Sequence, residues 1–276
     1  KEKNPDLTVV LCGCMASEEH IIEKIKKTYK QVDIVFGTSA INEFPRILSD
    51  YIENGKFICD KNEYQNYFSE ASDIVRSSDF TAGVPVMYGC NNFCTYCIVP
   101  YVRGREQSRP SSDILYEIKS LVSKGYKEIM LLGQNVNSYG EGLSEDIDFP
   151  RLLHKINEIE GDFRIRFMSS HPKNATKELI DAIISCDKIC KHFHLPVQSG
   201  SDTILSAMNR NYTAENYLKV VDYARNKIPD FSFSTDIIVG FPNESEEDFE
   251  KTLDLMKQVR FDSVFSFIYS KRSGTK

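Results

Sequence analysis

Short apolar runs recur along the second half of the chain, and amphipathic stretches separate them. Runs of this length predict β-strands, whereas apolar residues spaced three and four apart predict helices. One helix is predicted to begin at Ser245, because Ser245 and Asp248 form a capping-box pattern. Six strands are predicted in this way, at Val84–Tyr88, Glu128–Leu132, Arg164–Ser169, His192–Leu195, Phe231–Val239 and Ser263–Tyr269.

The strict succession of strand and helix determines the expected fold class. Repeated βα units imply parallel strands joined by helical crossovers. Six such units predict an α/β fold with a partial (β/α)6 barrel. The loops that follow the strands form the working face of such folds. Polar clusters stand at five of these positions, namely GCNNFC, GQNVNSYG, SSHP, PVQSGS and GFPNES.

The first 54 residues carry a shorter pattern of the same kind. Strands are predicted at Leu7–Leu11 and Val32–Phe36, and helices at Ser17–Tyr29 and Ile41–Ile52. From residue 55 to residue 82 the periodicity lapses and polar residues prevail. We therefore predict the remainder of a small α/β domain at 1–54, a linker at 55–82 and the barrel domain at 83–276.

Composition narrows the classes of protein that this chain can represent. It has 276 residues, of which 41% are hydrophobic, a net charge of −6 and eight cysteines. No apolar run reaches the roughly 18 residues that a membrane span needs, and so few cysteines exclude a disulfide scaffold. We expect a cytoplasmic protein without a membrane partner. The acidic balance excludes a broadly basic surface, so any nucleic-acid contact has to be a local patch.

Cys90, Cys94 and Cys97 are the strongest chemical signal, because they fall within eight residues at the end of the first barrel strand. Structural zinc takes four protein ligands, and no second cysteine or histidine pair lies nearby. A [4Fe–4S] cluster takes one cysteine per iron, so three cysteines leave one iron open for chemistry. Zinc and chance remain the alternatives to this interpretation.

Other polar residues admit two interpretations each. Cys14 stands past a predicted strand end, as a ligand or as a small buried hydrophobe, whereas Cys12, Cys59, Cys186 and Cys190 are interpreted as structural. His171 and His194 lie at strand ends, where packing is as common a role as catalysis. Arg103 and Arg105 follow the cysteine loop and suit either solvent or phosphate recognition.

Six segments together resemble the radical S-adenosylmethionine enzymes, and within them the methylthiotransferases that modify tRNA. They are GCNNFCTYCIVPYVRG, LLGQNVNSYG, RIRFMSSHP, HLPVQSGSD, IIVGFPNE and FSFIYSKRSGT, and the similarity covers nearly the whole chain. The resemblance implies that Cys90, Cys94 and Cys97 bind a [4Fe–4S] cluster whose open iron chelates S-adenosylmethionine. It also implies that Cys14 is the last ligand of an auxiliary cluster, the second [4Fe–4S] cluster of the full-length protein.

The resemblance assigns further residues and partners. It implies that the cofactor is bound by Tyr96, Gly133, Gln134, Asn135, Asp236, Val239 and Gly240, and that Arg103 and Arg105 contact substrate. The implied substrate is the anticodon stem-loop of tRNA, modified at C2 of N6-isopentenyladenosine at position 37, with a flavodoxin or ferredoxin as electron donor. It further implies that two auxiliary ligands precede Lys1 and that an RNA-binding TRAM domain follows Lys276, so that this chain is a fragment.

Two rival functions remain open at the level of sequence. One keeps the chemistry and changes the acceptor to another tRNA base or a ribosomal-protein aspartate. The other is a non-catalytic metal-binding module that uses the same cysteines.

Overall fold

A computed structural model describes residues 1, 3–60, 68 and 74–275. The chain divides into two compact units: a first unit of Lys1–Ile74 with Ile98–Gly104, and a second unit of Val75–Cys97 with Arg105–Lys276. The chain therefore leaves the second unit directly after Cys97 and returns to it at Arg105.

The first unit contains a three-stranded parallel sheet of order β1-β2-β3. Its apolar positions fall on the central strand, where Ile34, Val35 and Phe36 are all buried. Its strands are β1 (Val10–Cys12), β2 (Ile34–Phe36) and β3 (Ile58–Asp60), and its helices are α1 (Glu19–Thr28), α2 (Phe44–Asn54) and α3 (Val99–Arg103).

The second unit contains six parallel strands that follow one another in chain order. They form two three-stranded sheets, and a parallel bridge between Ile165 and Ile189 connects the two. A separate antiparallel pair lies beside them. The parallel strands are β4 (Thr81–Pro85), β7 (Glu128–Leu132), β8 (Arg164–Phe167), β9 (His192–His194), β10 (Ser232–Val239) and β11 (Ser263–Ile268), and the antiparallel pair is β5 (Met87–Tyr88) with β6 (Gln107–Ser108).

Helices between successive strands cover one face of these sheets. They are α4 (Ser111–Ser123), α5 (Phe149–Asn157), α6 (Lys177–Ser185), α7 (Asp202–Ala207), α8 (Ala214–Lys227) and α9 (Glu246–Val259). Within the described residues no ladder pairs β4 with β11, so the barrel is open, as a partial barrel requires.

Strand alternation separates an apolar core from a polar inner face. Ile129, Phe193 and Phe233 are fully buried in the main hydrophobic core. Because successive strand residues point to opposite faces, neighbours such as His194 and Asp236 face the concave side. Chemistry-bearing residues are thereby collected on the inner face of the barrel.

The predicted elements agree with the observed ones apart from their ends. All six predicted barrel strands are present, and the first begins at Thr81 rather than Val84. The pairing of β5 with β6 was not predicted, because two-residue strands carry no periodic signal.

The predicted domain boundaries stay a prediction. Strand β3 lies inside the range 55–82 that was assigned to the linker, and residues 98–104 belong to the first unit although they lie inside 83–276. Part of the predicted linker, at 61–67 and 69–73, falls outside the described residues. None of the helices in the described part of the chain is long and apolar enough to cross a bilayer.

Candidate functional site

The cysteine loop follows β5 and is held from two sides within the second unit. On one side Gln134 Oε1 accepts a hydrogen bond of 2.7 Å from the Gly89 amide, directly before Cys90. On the other side the end of α7 contributes its carbonyls: Thr95 N donates to Met208 O at 3.1 Å, and Thr95 Oγ1 donates to Ala207 O at 3.0 Å. The loop is thus fixed by residues that lie far from it in sequence.

Asn209 provides the most direct clamp on this loop. Its Nδ2 donates to the carbonyl oxygens of Asn92 and Phe93 at 3.1 and 3.0 Å. Asn209 and Phe93 both have positive φ, 56° and 48°, a region that non-glycine residues enter rarely and that asparagine tolerates best. The chain therefore turns sharply at Asn209 and at Phe93, and these turns bring the end of α7 against the cysteine loop.

The sulfur atoms of Cys90 and Cys94 accept hydrogen bonds. Asn92 Nδ2 lies 3.5 Å from Cys90 Sγ, and Arg210 Nη1 lies 3.6 Å from Cys94 Sγ. Cys94 is buried, whereas Cys90 and Cys97 are partly exposed. Burial raises the pKa of the Cys90 thiol to about 11, so ligation at neutral pH requires a metal that displaces the proton.

The three cysteines suit a cluster better than a single metal ion. Across the described residues, no group of three or more His, Cys, Asp or Glu side chains is arranged to hold a metal ion. A [4Fe–4S] cluster differs from a single ion because each cysteine binds a separate iron. The fit of this loop to a cluster rests on the N–H donors aimed at two of its sulfurs, since such donors are typical partners of cluster thiolates.

The predicted residues after β7 support the loop and pack beneath it. Asn135 Nδ2 donates to Glu106 Oε1 at 3.0 Å, and the same carboxylate oxygen accepts from the Asn91 amide at 3.1 Å. Asn135 Oδ1 is buried and has no hydrogen-bond partner among the described residues. A side-chain carbon added at Gly133 would lie 2.7 Å from Met87 Sδ, so a larger residue there would force the Met87 side chain to shift.

Tyr96 joins the loop to the end of β10. Its ring packs in a small cluster with Ile204, Met208 and Phe241, and its hydroxyl lies 3.4 Å from Arg210 Nη1. Burial raises the pKa of Tyr96, so the phenol stays protonated. Since Phe241 follows Gly240, the aromatic contact brings the predicted strand-five segment to the same side of the barrel as the cysteine loop.

The remaining predicted cofactor residues lie along β10 and at its end. Asp236 has a carboxylate oxygen 3.6 Å from His194 Nε2. The carbonyl of Val239 accepts from the Tyr269 amide at 2.8 Å. Gly240 has a φ of 70°, and its amide donates to Glu244 Oε2 at 2.5 Å. Of these residues, Asp236 keeps a partly exposed carboxylate on the inner face.

The other predicted residues are divided between the two units. Arg105 stacks on Phe93, with 4.5 Å between its guanidinium carbon and the ring centre, and is exposed beside the loop. Arg103 ends α3 in the first unit. Cys14 begins a 3-10 turn at Cys14–Ser17 in the first unit and is partly exposed, whereas Cys12 is the last residue of β1.

Both histidines at strand ends are well packed. His171 is buried and its Nδ1 accepts from the Lys173 amide at 3.2 Å, while burial lowers the pKa of His171 to about 2. His194 Nδ1 and His192 Nε2 share the Ser234 hydroxyl at 2.9 and 2.8 Å. His171 is therefore neutral at physiological pH.

Sequence patterns missed Arg210 and Asn209, which contact the loop, and Tyr212, which contacts Arg210. They stand between α7 and α8 rather than after a strand, so the rule that sites follow strand ends passed over them. Their one signal in the sequence is a run of polar, charged and aromatic residues, NRNY.

Comparison with known proteins gives three findings. The family model for the radical SAM superfamily matches residues 84–256. The tRNA-2-methylthio-N(6)-dimethylallyladenosine synthases of Thermoanaerobacter pseudethanolicus and Clostridium beijerinckii are each 55% identical to the whole chain. The chain spans 58% and 60% of their lengths.

Solved structures with a similar fold are more distant in sequence. The radical S-adenosylmethionine methyltransferase TsrM from Kitasatospora setae, with cobalamin and a [4Fe–4S] cluster bound, has a TM-score of 0.57 and 16% identity over 68% of this chain and 36% of that one. The cobalamin-dependent radical enzyme OxsB has a TM-score of 0.56 and 13% identity over 92% of this chain and 44% of that one. At this identity they establish the fold alone.

Proposed function

The chain belongs to the radical S-adenosylmethionine superfamily, and we propose that it is part of a tRNA methylthiotransferase. The proposed reaction inserts a methylthio group at C2 of N6-isopentenyladenosine at position 37 of tRNA. The observation that carries the proposal is the loop of Cys90, Cys94 and Cys97 after the first barrel strands, with N–H donors on two sulfurs. The substrate follows from relatives that are 55% identical over the whole chain.

The three thiolates would hold a [4Fe–4S] cluster, and Cys14 would contribute to a second one. When bound, the cluster and S-adenosylmethionine supply one-electron reduction and radical activation of the substrate carbon. The residues of this chain would bind the cluster and S-adenosylmethionine and orient them. Gln134 and Asn209 fix the loop. Asn135 has a buried side-chain oxygen without a partner among the described residues, and this oxygen would be available to accept a hydrogen bond from a donor such as the cofactor's ammonium group.

The remaining predicted residues would complete the two binding sites. The cofactor site would be lined by Tyr96, Gly133, Asp236, Val239 and Gly240. Arg103 and Arg105 would contact the phosphates of the anticodon stem-loop, since guanidinium groups suit phosphate geometry. The substrate places the enzyme in the cytoplasm, with a flavodoxin or ferredoxin as the electron donor.

The reaction class is tested on the full-length protein after anaerobic cluster reconstitution. Reduction with S-adenosylmethionine should release 5′-deoxyadenosine, and Cys90→Ala should abolish release, because that variant removes one ligand. Release that persists unchanged in Cys90→Ala, or no release from fully loaded wild type, would contradict the proposal and favour a non-catalytic metal-binding module.

The substrate is tested separately by mass spectrometry of tRNA nucleosides. Cells that lack the full-length protein should accumulate N6-isopentenyladenosine and lose its methylthio form, and re-expression should restore it. An unchanged nucleoside profile would favour another tRNA base or a ribosomal-protein aspartate as acceptor.

A further inference from the structure

Arg210 is a buried cation, and each of its three side-chain nitrogens contacts a partner in the second unit. Its Nε donates to Tyr212 OH at 3.0 Å, and its Nη2 donates to Pro196 O at 2.6 Å. Its Nη1 lies 3.4 Å from Tyr96 OH and 3.6 Å from Cys94 Sγ. Only 6% of the residue is exposed, so the guanidinium is held rigidly against the sulfur of Cys94.

No carboxylate balances this charge among the described residues. The ion pairs of these residues involve other side chains, and Arg210 contacts two phenols, one carbonyl and one thiol. An arginine side chain stays protonated in proteins, and a buried charge without a counter-charge costs several kcal/mol. The arrangement therefore favours an anion at Cys94.

We propose that Arg210 raises the reduction potential of the cluster ligated by Cys94, through a charge-assisted hydrogen bond to the sulfur of that ligand. The inference rests on the proposed function insofar as a [4Fe–4S] cluster binds to this loop. It goes beyond that function because it assigns a tuning role to a residue outside the ligand set.

The direction of the effect follows from the charges. Three thiolates on an oxidised [4Fe–4S] core form a negative complex, and one-electron reduction adds a further negative charge. A fixed guanidinium thus stabilises the reduced complex more than the oxidised one. Hydrogen bonds to the sulfurs and net charge are recognised determinants of cluster potentials. The electron comes from the flavodoxin or ferredoxin donor, and Arg210 keeps its protons throughout.

The test is a redox titration followed by electron paramagnetic resonance on the full-length, cluster-loaded protein without S-adenosylmethionine. Omitting the cofactor separates a direct effect on the cluster from an effect on cofactor binding. For Arg210→Gln we expect the ratio of reduced to oxidised cluster at a fixed solution potential to fall about tenfold. This fall corresponds to a decrease of about 59 mV in the reduction potential of a one-electron couple. Arg210→Lys keeps the charge and should change the ratio by less than about threefold.

Arg105→Gln is the matched control, because it removes the same formal charge from an exposed side chain next to the same loop. Solvent screens exposed charges, so this variant should leave the potential unchanged. An unchanged potential in Arg210→Gln at full iron content, or an equal shift in Arg105→Gln, would overturn the inference.

A second measurement, on the wild-type protein, tests the inference if Arg210→Gln does not bind the [4Fe–4S] cluster. Protein labelled with 15N-arginine is loaded and reduced, and hyperfine spectroscopy then searches for a weak nitrogen coupling to the cluster. A coupling supports the hydrogen bond to Cys94, and its absence rejects it. If wild-type protein shows no cluster signal at all, the proposed function fails instead, so the two failures are distinguishable.

Discussion

At the scale of single residues, His171 shows how burial fixes a protonation state. Its ring is enclosed beside Tyr212, with 5.7 Å between the ring centres, and burial lowers its pKa from 6.5 to about 2. Arg210 and Lys173 act in the same direction, because they repel a charged imidazole. The folded protein therefore keeps His171 neutral, whereas the unfolded chain binds a proton below about pH 6.5.

That difference predicts an acid sensitivity with a defined sign. Because the folded-state pKa is depressed, the contribution of His171 is fully present above pH 6.5 and is lost as the pH falls towards 2. Urea unfolding at pH 7 and pH 5 should show a drop in the free energy of unfolding that is smaller in His171→Gln. His20, which lies exposed in the first unit, provides the control, since His20→Gln should retain the full drop.

At the scale of elements, the end of α7 acts as a clamp for the cysteine loop. Asn209 combines two roles, a positive φ of 56° and an amide that donates to two loop carbonyls. The two roles separate on substitution, because glycine accepts the backbone conformation and alanine does not.

We expect Asn209→Gly to weaken cluster retention about tenfold, the scale of lost outer-shell contacts at metal sites. Asn209→Ala should lose a similar amount and should in addition lower the free energy of unfolding by about 1 kcal/mol. Chelator challenge of the loaded protein measures retention, and urea unfolding of the apoprotein measures stability. Equal retention in Asn209→Gly and wild type would show that the amide does not hold the loop.

The elements also show which structural features can be predicted from the sequence. The six barrel strands were predictable because each is an apolar run next to an amphipathic helix, and Glu128–Leu132 was predicted with its observed ends. The cysteine loop was predictable because its ligands are neighbours in sequence. The contacts of Arg210 and Asn209 with the cysteine loop were not, since these contacts join residues more than 110 positions apart and depend on how β9 and α7 return to the loop. Long-range polar contacts of this kind leave no periodicity in the chain.

At the scale of the whole molecule, ligand binding and stability are linked. Binding of the [4Fe–4S] cluster requires the loop conformation of the folded state. The unfolded chain lacks the hydrogen bonds that Met208 and Asn209 make to the loop. A ligand that binds only the folded state stabilises it by about 2.7 kcal/mol at a hundredfold excess over its Kd. The thermal midpoint of the full-length protein should therefore rise on loading and fall again after chelation.

Anaerobic calorimetry checks this prediction. A variant with all three of Cys90, Cys94 and Cys97 changed to Ser is the control, because it keeps the fold and removes the ligands of this cluster. It should show a smaller rise on loading than wild type. An equal rise of the thermal midpoint in both proteins would show that the stabilising metal binds outside these three cysteines.

The clamp on the cysteine loop has a consequence for biosynthesis. The hydrogen bonds between the end of α7 and the loop join positions separated by 112 to 117 residues. A ribosome adds about 5–20 residues per second, so the nascent loop waits several seconds or more before its partners emerge. During that interval the three thiols belong to a flexible segment, open to oxidation and to stray metals. Iron delivery therefore has its earliest productive moment after the end of α7 has left the ribosome.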